Sequence, residues 1–188
     1  LENIRAVIGE RPIDYIIVNH VEPDHSGSLS LMRQFYPDVR IVGNKKTFDM
    51  LSGYYGITPE SGICVAEGDT LALGRRTLTF HLAPMLHWPE TMVTHVADEG
   101  ILFSGDAFGC FGALNGAVVD RNMDCTRFWP EMERYYAAIL GKFGAPVRTA
   151  LKKLGGLDIR MICPTHGPVW TDNAARATLQ EAITAAQS

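Results

Sequence analysis

The run His20-Val21-Glu22-Pro23-Asp24-His25 places four ligand-type side chains in six positions, just downstream of the apolar stretch Ile13-Asp14-Tyr15-Ile16-Ile17-Val18. The β-forming residues of that stretch predict a strand over residues 13–18, so the run falls in a loop at a strand end. Loops held by a rigid scaffold are where binding and catalytic groups concentrate. In an extended loop alternate side chains point the same way, so His20, Glu22 and Asp24 should project together, with His25 turned opposite.

Three further residues continue the pattern: His87 in Leu86-His87-Trp88-Pro89, Asp106 in Gly105-Asp106-Ala107-Phe108-Gly109, and His166 in Thr165-His166-Gly167-Pro168. Each follows a strand-like run, at residues 77–82, 101–103 and 159–163. Seven oxygen and nitrogen donors suit two metals. His20 and Glu22 could serve one and Asp24 and His25 the other, with His87 and His166 adding an imidazole each and Asp106 bridging. Open positions then remain for a substrate. Three carboxylates (Glu22, Asp24, Asp106) and a bridging hydroxide balance two divalent ions, whereas the same carboxylates crowded together without metal would have to take up protons. Glu22 stands where the dinuclear hydrolase pattern H-x-H-x-D-H carries an imidazole. A carboxylate there hardens the site, which favours iron over zinc and electron transfer over hydrolysis.

The other two histidines, His81 and His95, lie inside strand-like runs and read as structural. Trp88 and Phe108 read as packing that keeps the site dry. Cys110, four residues after Asp106, either lines the pocket or fills core.

The chain has 188 residues, 46% hydrophobic and 20% charged, which suits one domain with a sizeable core over residues 1–188. A net charge of −4 with only isolated basic pairs argues against a nucleic-acid surface. No apolar run approaches the ~20 residues of a membrane span. Four cysteines without a C-x-x-C pair, and no visible signal peptide, predict a reducing cytoplasmic setting. The opening Leu-Glu-Asn-Ile predicts a piece of something longer.

Further elements follow from pattern. A helix is expected from the hydroxyls of Ser26-Gly27-Ser28 through Tyr36, stopped by Pro37, then a strand over 39–42 and a helix over 45–54. Meandering β is expected around 67–75, and the turn Asp98-Glu99-Gly100 predicts a hairpin between strands 92–96 and 101–103. Residues 128–143 carry an apolar stripe that reads as one helix, with another over 146–154. A terminal helix capped by Asp172 or Asn173 should present Ala175, Leu179, Ile183 and Ala186 on one face.

The runs His20-Val21-Glu22-Pro23-Asp24-His25-Ser26-Gly27-Ser28-Leu29, Met85-Leu86-His87-Trp88-Pro89, Phe103-Ser104-Gly105-Asp106-Ala107-Phe108-Gly109 and Thr165-His166-Gly167-Pro168 together resemble the flavodiiron proteins, or A-type flavoproteins, over nearly the whole chain. The resemblance implies an α/β fold, a metallo-β-lactamase-like αββα sandwich, here lacking its first strands. It implies a non-haem diiron centre with a bridging hydroxide or oxo group. One iron would take His20, Glu22 and His87, the other Asp24, His25 and His166, with Asp106 bridging; Asp106 and Glu22 are the expected catalytic residues. The implied substrates are O2, reduced to water, and NO, reduced to N2O. The implied partners are a flavodoxin-like domain carrying FMN outside this chain, an upstream electron donor, and a second copy in a head-to-tail homodimer. The competing readings are a dinuclear zinc hydrolase of the metallo-β-lactamase superfamily, using a bridging hydroxide as nucleophile, and a non-enzymatic gas-binding or sensing module.

Overall fold

The computed structural model describes residues 1–185, apart from the side chains of Ile183 and Ala185. Backbone contacts divide the chain into two compact units, one ending at Val65 and the other beginning at Ala66.

The first unit opens with helix α1 (Glu2–Ile8), which buries none of its residues. Strands β1 (Tyr15–Ile17), β2 (Arg40–Asn44) and β3 (Gly62–Val65) then form a three-stranded parallel sheet in the order β1-β2-β3. Parallel pairing needs crossovers. Helix α2 (Pro23–Ser26) and helix α3 (Leu29–Phe35) lie on the first, and helix α4 (Lys45–Tyr55) on the second. Asn44 caps α4, its side chain accepting from the Thr47 amide at 3.1 Å. Gly56 ends it in the left-handed conformation that glycine adopts at low cost (φ 64°). Ile41, Phe48, Leu51 and Ile57 are buried in the core with Val21, inside the ligand run, and with Val18 and Leu29 on either side of it.

One expectation fails here. The ligand run is extended only as far as Glu22, because Pro23 begins α2 and its fixed φ suits the first helical position. Asp24 and His25 therefore project from a helical turn. Ser28 stands at the N-cap of α3 but its side chain makes no capping bond, and the Ser26 hydroxyl is used elsewhere.

The second unit is built on a six-stranded sheet in the order β4 (Thr70–Leu73), β5 (Arg76–Leu82), β6 (Met92–Val96), β7 (Ile101–Gly105), β8 (Met161–Pro164) and β9 (Trp170–Thr171). Every pairing is antiparallel except β7 with β8, whose long connection carries helices α5 (Phe128–Tyr135) and α6 (Gly144–Leu154). The hairpin expected from the turn at residues 98–100 joins β6 to β7, with Gly100 at φ 64°. All five residues of β6 are buried, Thr94 and His95 among them, so the strand is covered on both faces rather than alternating.

The stripe over residues 128–143 is not one helix. After α5 the chain widens into a π-helical turn at Tyr136–Leu140 and tightens into a 3₁₀ turn at Gly141–Phe143. Gly141, poor at holding a helix interior, marks the change. Helix α7 (Asp172–Ala185) closes the described chain. Ala175 is buried and Leu179 packs on the core, as the expected face requires, while the Ile183 side chain and Ala186 lie outside the described residues.

Candidate metal centre

In the first unit, four ligand-type residues share one short segment. His20 is 4% exposed, and its Nε2 lies 3.3 Å from Glu22 Oε2. His25 Nε2 lies 3.5 Å from Asp24 Oδ1, and the rings of His20 and His25 are 5.3 Å apart, tilted by 45°. The extended backbone up to Glu22 and the helical turn after it thus make two imidazole–carboxylate pairs.

A hydroxyl fixes this segment. Ser26, 1% exposed, donates from Oγ to the Val21 carbonyl at 2.5 Å and meets the Tyr55 hydroxyl at 2.9 Å. The loop is thereby tied to the end of α4. Gly27 is required sterically, since a Cβ there would stand 2.6 Å from the Pro23 carbonyl oxygen.

In the second unit, three residues from three loops meet. Asp106, at the end of β7 and 2% exposed, turns Oδ2 toward His87 Nε2 at 3.1 Å and Oδ1 toward His166 Nε2 at 3.5 Å. Each carboxylate oxygen faces a different imidazole, which is the disposition a bridging carboxylate needs. Thr165 donates from Oγ1 to Asp106 Oδ1 at 2.8 Å and so fixes the carboxylate plane.

The backbone around Asp106 is equally constrained. The Ser104 hydroxyl donates to the Ala107 carbonyl at 2.7 Å, the Thr165 amide to the Gly105 carbonyl at 2.9 Å, and the Trp170 indole to the Phe108 carbonyl at 3.2 Å. The loop carrying His166 is held by the Cys110 amide, which donates to the His166 carbonyl at 3.3 Å, and by Tyr135, whose ring lies 5.8 Å from the imidazole. Gly167 has φ 87°, and a Cβ on it would fall 2.3 Å from Cys110 Sγ. Cys110 is therefore a packing residue against the His166 loop. Burial pushes its thiol up to about 11, so it is neither a thiolate nor a ready nucleophile.

The histidines read as structural have structural partners. His81 donates from Nδ1 to Glu67 Oε1 at 3.1 Å. Burial pulls the Glu67 carboxyl upward, but bonds from Lys153, the Leu82 amide and His81 outweigh it and hold the group below the usual carboxylate range. His95 donates from Nε2 to the Asp158 carbonyl at 3.3 Å, and burial lowers its affinity for a second proton. Trp88 sets its ring edge-on to His87 at 6.2 Å, and Phe108 is buried beyond Asp106, both in the packing role expected of them. Thr165 and Tyr135 are the supporting residues that sequence reasoning missed. Thr165 could have been found from its place beside His166, whereas Tyr135 is indistinguishable from the core stripe around it.

The donors are imidazole and carboxylate only, with no thiolate, a set that fits iron or zinc. Alternation of ligand-bearing loops with strand ends, over a three-stranded and a six-stranded sheet, defines the class. Residues 1–167 match the model of the ODP family beta lactamase, and the chain belongs to that family, a metallo-β-lactamase-like α/β fold.

Among curated relatives, the chain is 37% identical over 179 residues to the anaerobic nitric oxide reductase flavorubredoxin of Salmonella arizonae, covering 92% of this chain and 36% of that protein. It is 35% identical over 166 residues to the nitric oxide reductase of Moorella thermoacetica, covering 87% and 41%. The chain thus spans well under half the length of these relatives. Among solved structures it resembles the rubredoxin oxygen:oxidoreductase of Desulfovibrio gigas, with a TM-score of 0.91, 28% identity, and coverage of 98% of this chain and 46% of that one. The flavodiiron protein of Giardia intestinalis gives a TM-score of 0.87 and 31% identity, covering 93% and 42%.

Proposed function

We propose that residues 1–188 are the partial diiron domain of a flavodiiron oxidoreductase that reduces NO to N2O, O2 to water, or both. The observation that carries this reading is the Asp106 carboxylate, with one oxygen toward His87 and the other toward His166. His20, Glu22 and His87 are assigned to one iron, Asp24, His25 and His166 to the other, and Asp106 to both. The relatives' names, which specify nitric oxide reduction, oxygen reduction and a flavodiiron composition, support the same assignment.

When bound, two ferrous ions supply two electrons, enough for 2 NO + 2 e⁻ + 2 H⁺ → N2O + H2O. Reduction of O2 to two waters takes four electrons and four protons, so FMN on a flavodoxin-like domain outside this chain is the proposed second donor. An upstream electron donor recharges it, and a head-to-tail homodimer brings the flavin of one copy to the iron of the other. The protein's own residues do the positioning. Thr165 orients the bridging carboxylate, Trp88 and Phe108 exclude water, and Glu22 supplies the extra negative charge that favours the ferric state over the ferrous. A cytoplasmic setting accords with four free cysteines. Among the described residues no helix is long and apolar enough to cross a membrane.

The test is turnover with a chemically reduced flavin donor, following N2O by gas chromatography with NO under anaerobic conditions and O2 uptake by an oxygen electrode in a separate assay. Stoichiometric N2O from NO is expected. Inertness toward both gases combined with hydrolysis of ester or lactam substrates by the zinc-loaded protein would establish the dinuclear hydrolase instead.

A further inference from the structure

Helices α5, α6 and α7, all in the second unit, line a pocket of about 530 Å³ that is open on one side. Its walls are apolar, including Leu86, Phe108, Val147 and Leu151. Its mouth carries the exposed polar residues Glu133, Gln180, Glu181 and Thr184. The walls touch the metal-binding loops at three places. Leu86 precedes His87 in the chain, Ala107 and Phe108 follow Asp106, and the Tyr135 ring lies 5.8 Å from that of His166, tilted by 42°.

One wall residue is anomalous. Thr178 is 1% exposed, and its hydroxyl has no hydrogen-bond partner among the described residues. The helical threonines Thr149 and Thr184 close on the carbonyl four residues back, on Ala145 at 3.0 Å and on Gln180 at 2.9 Å, whereas the hydroxyl of Thr47, in the first turn of α4, is buried without a partner among the described residues as that of Thr178 is. A buried hydroxyl without a partner is destabilising. A water cluster filling such a space would need two to four polar partners per molecule, and inside the mouth the lining carries hydroxyls only on Thr178, Tyr135 and Tyr136. Apolar cavities of even about 150 Å³ stay dry and take up xenon. The occupant that matches these walls is small, uncharged and sparingly soluble in water.

We propose that this cavity is a reservoir and entry route for an uncharged diatomic gas, delivering it to the His87–Asp106–His166 side of the metal centre. The proposal rests on the gas-reductase reading above. Partition from water into the apolar walls raises the local gas concentration, and the polar mouth faces solvent.

The experiment is xenon pressurisation of crystals of the full-length, metal-loaded protein, paired with gas kinetics on Ala182→Trp, whose side chain would fill the cavity from its rim. Thr184→Trp, at the exposed mouth, provides a second block should the first variant fold poorly. Xenon density is expected between Leu151, Phe108 and Thr178 in the wild type and not in Ala182→Trp. The blocked variant should keep its metal content and its kcat at saturating gas while KM for NO or O2 rises at least fivefold. An empty cavity under xenon, density for an acyl chain or peptide in its place, or xenon displaced with KM unchanged would each overturn the proposal. Xenon binding in a protein that turns over neither gas would sink the gas-reductase reading and leave the reservoir standing. Turnover without xenon would sink the reservoir alone.

Discussion

Asp106 Oδ2 lies 3.1 Å from Nε2 of His87, although nineteen residues and the β6–β7 hairpin separate the two in sequence. The hairpin brings them together: β5 delivers the chain to the His87 loop, β6 returns, and β7 ends at Asp106 on the edge from which β5 departed. The sheet register therefore sets the geometry of the proposed ligands, and the groups that fix the loops at the strand ends become the points at which to test it.

Thr165→Val removes a hydroxyl that donates to Asp106 Oδ1 while conserving shape. Metal affinity should fall 10–100-fold, the usual cost of losing a group that orients a ligand. Competition titration against a chelator checks this. Melting temperature of the metal-free protein should change little, because Thr165 is exposed.

Gly167→Ala puts a methyl 2.3 Å from Cys110 Sγ at φ 87°. The left-handed conformation costs about 1–2 kcal/mol and the overpacking about 1–3 kcal/mol more. Chemical denaturation should show that loss. The double variant Gly167→Ala with Cys110→Ala should recover the steric part and not the conformational part.

Ser26→Ala leaves the Val21 carbonyl and the Tyr55 hydroxyl without the bonds that tie the first ligand segment down. A buried hydrogen-bonded hydroxyl lost in this way should destabilise by about 1–3 kcal/mol. Hydrogen exchange should quicken at residues 20–27 more than in the strands.

His95 gives the fold a pH dependence. Burial, aided by the nearby His81 ring, lowers its pKa in the folded state against the opposing pull of the Asp158 carbonyl. The unfolded chain binds the proton near the ordinary value of about 6.5 and the folded chain resists it. Stability from this group is thus fully present above about pH 6.5 and drains away as pH falls toward the folded value. Denaturation midpoints measured from pH 8 to pH 5 should drop, and His95→Gln should flatten the slope.

Much of this was legible because each ligand follows a strand, and β-forming runs are visible as composition. Residues 13–18, 77–82, 92–96, 101–103 and 159–163 announce five strands in that way. The turn at Pro23 was misread because a proline inside a ligand run suggests extension as readily as a helix start. Its role depends on the four residues after it closing their turn. The π-helical turn at Tyr136–Leu140 leaves the apolar spacing of the stripe intact, so periodicity cannot reveal it. The two-residue strand β9 is too short to have a pattern. Thr165 is a single hydroxyl, and its importance lies in an acceptor 59 residues away.

The central claim is that Asp106 joins two irons. The most direct measurement is the metal content per chain of protein prepared anaerobically with iron supplied, for the wild type and for Asp106→Asn, which keeps the shape and removes the charge. Two irons are expected in the wild type and a loss of at least one in the variant, with His81→Ala, whose ring bonds to Glu67, retaining both. Two zincs with negligible iron in the wild type, or two irons undiminished in Asp106→Asn, would contradict it.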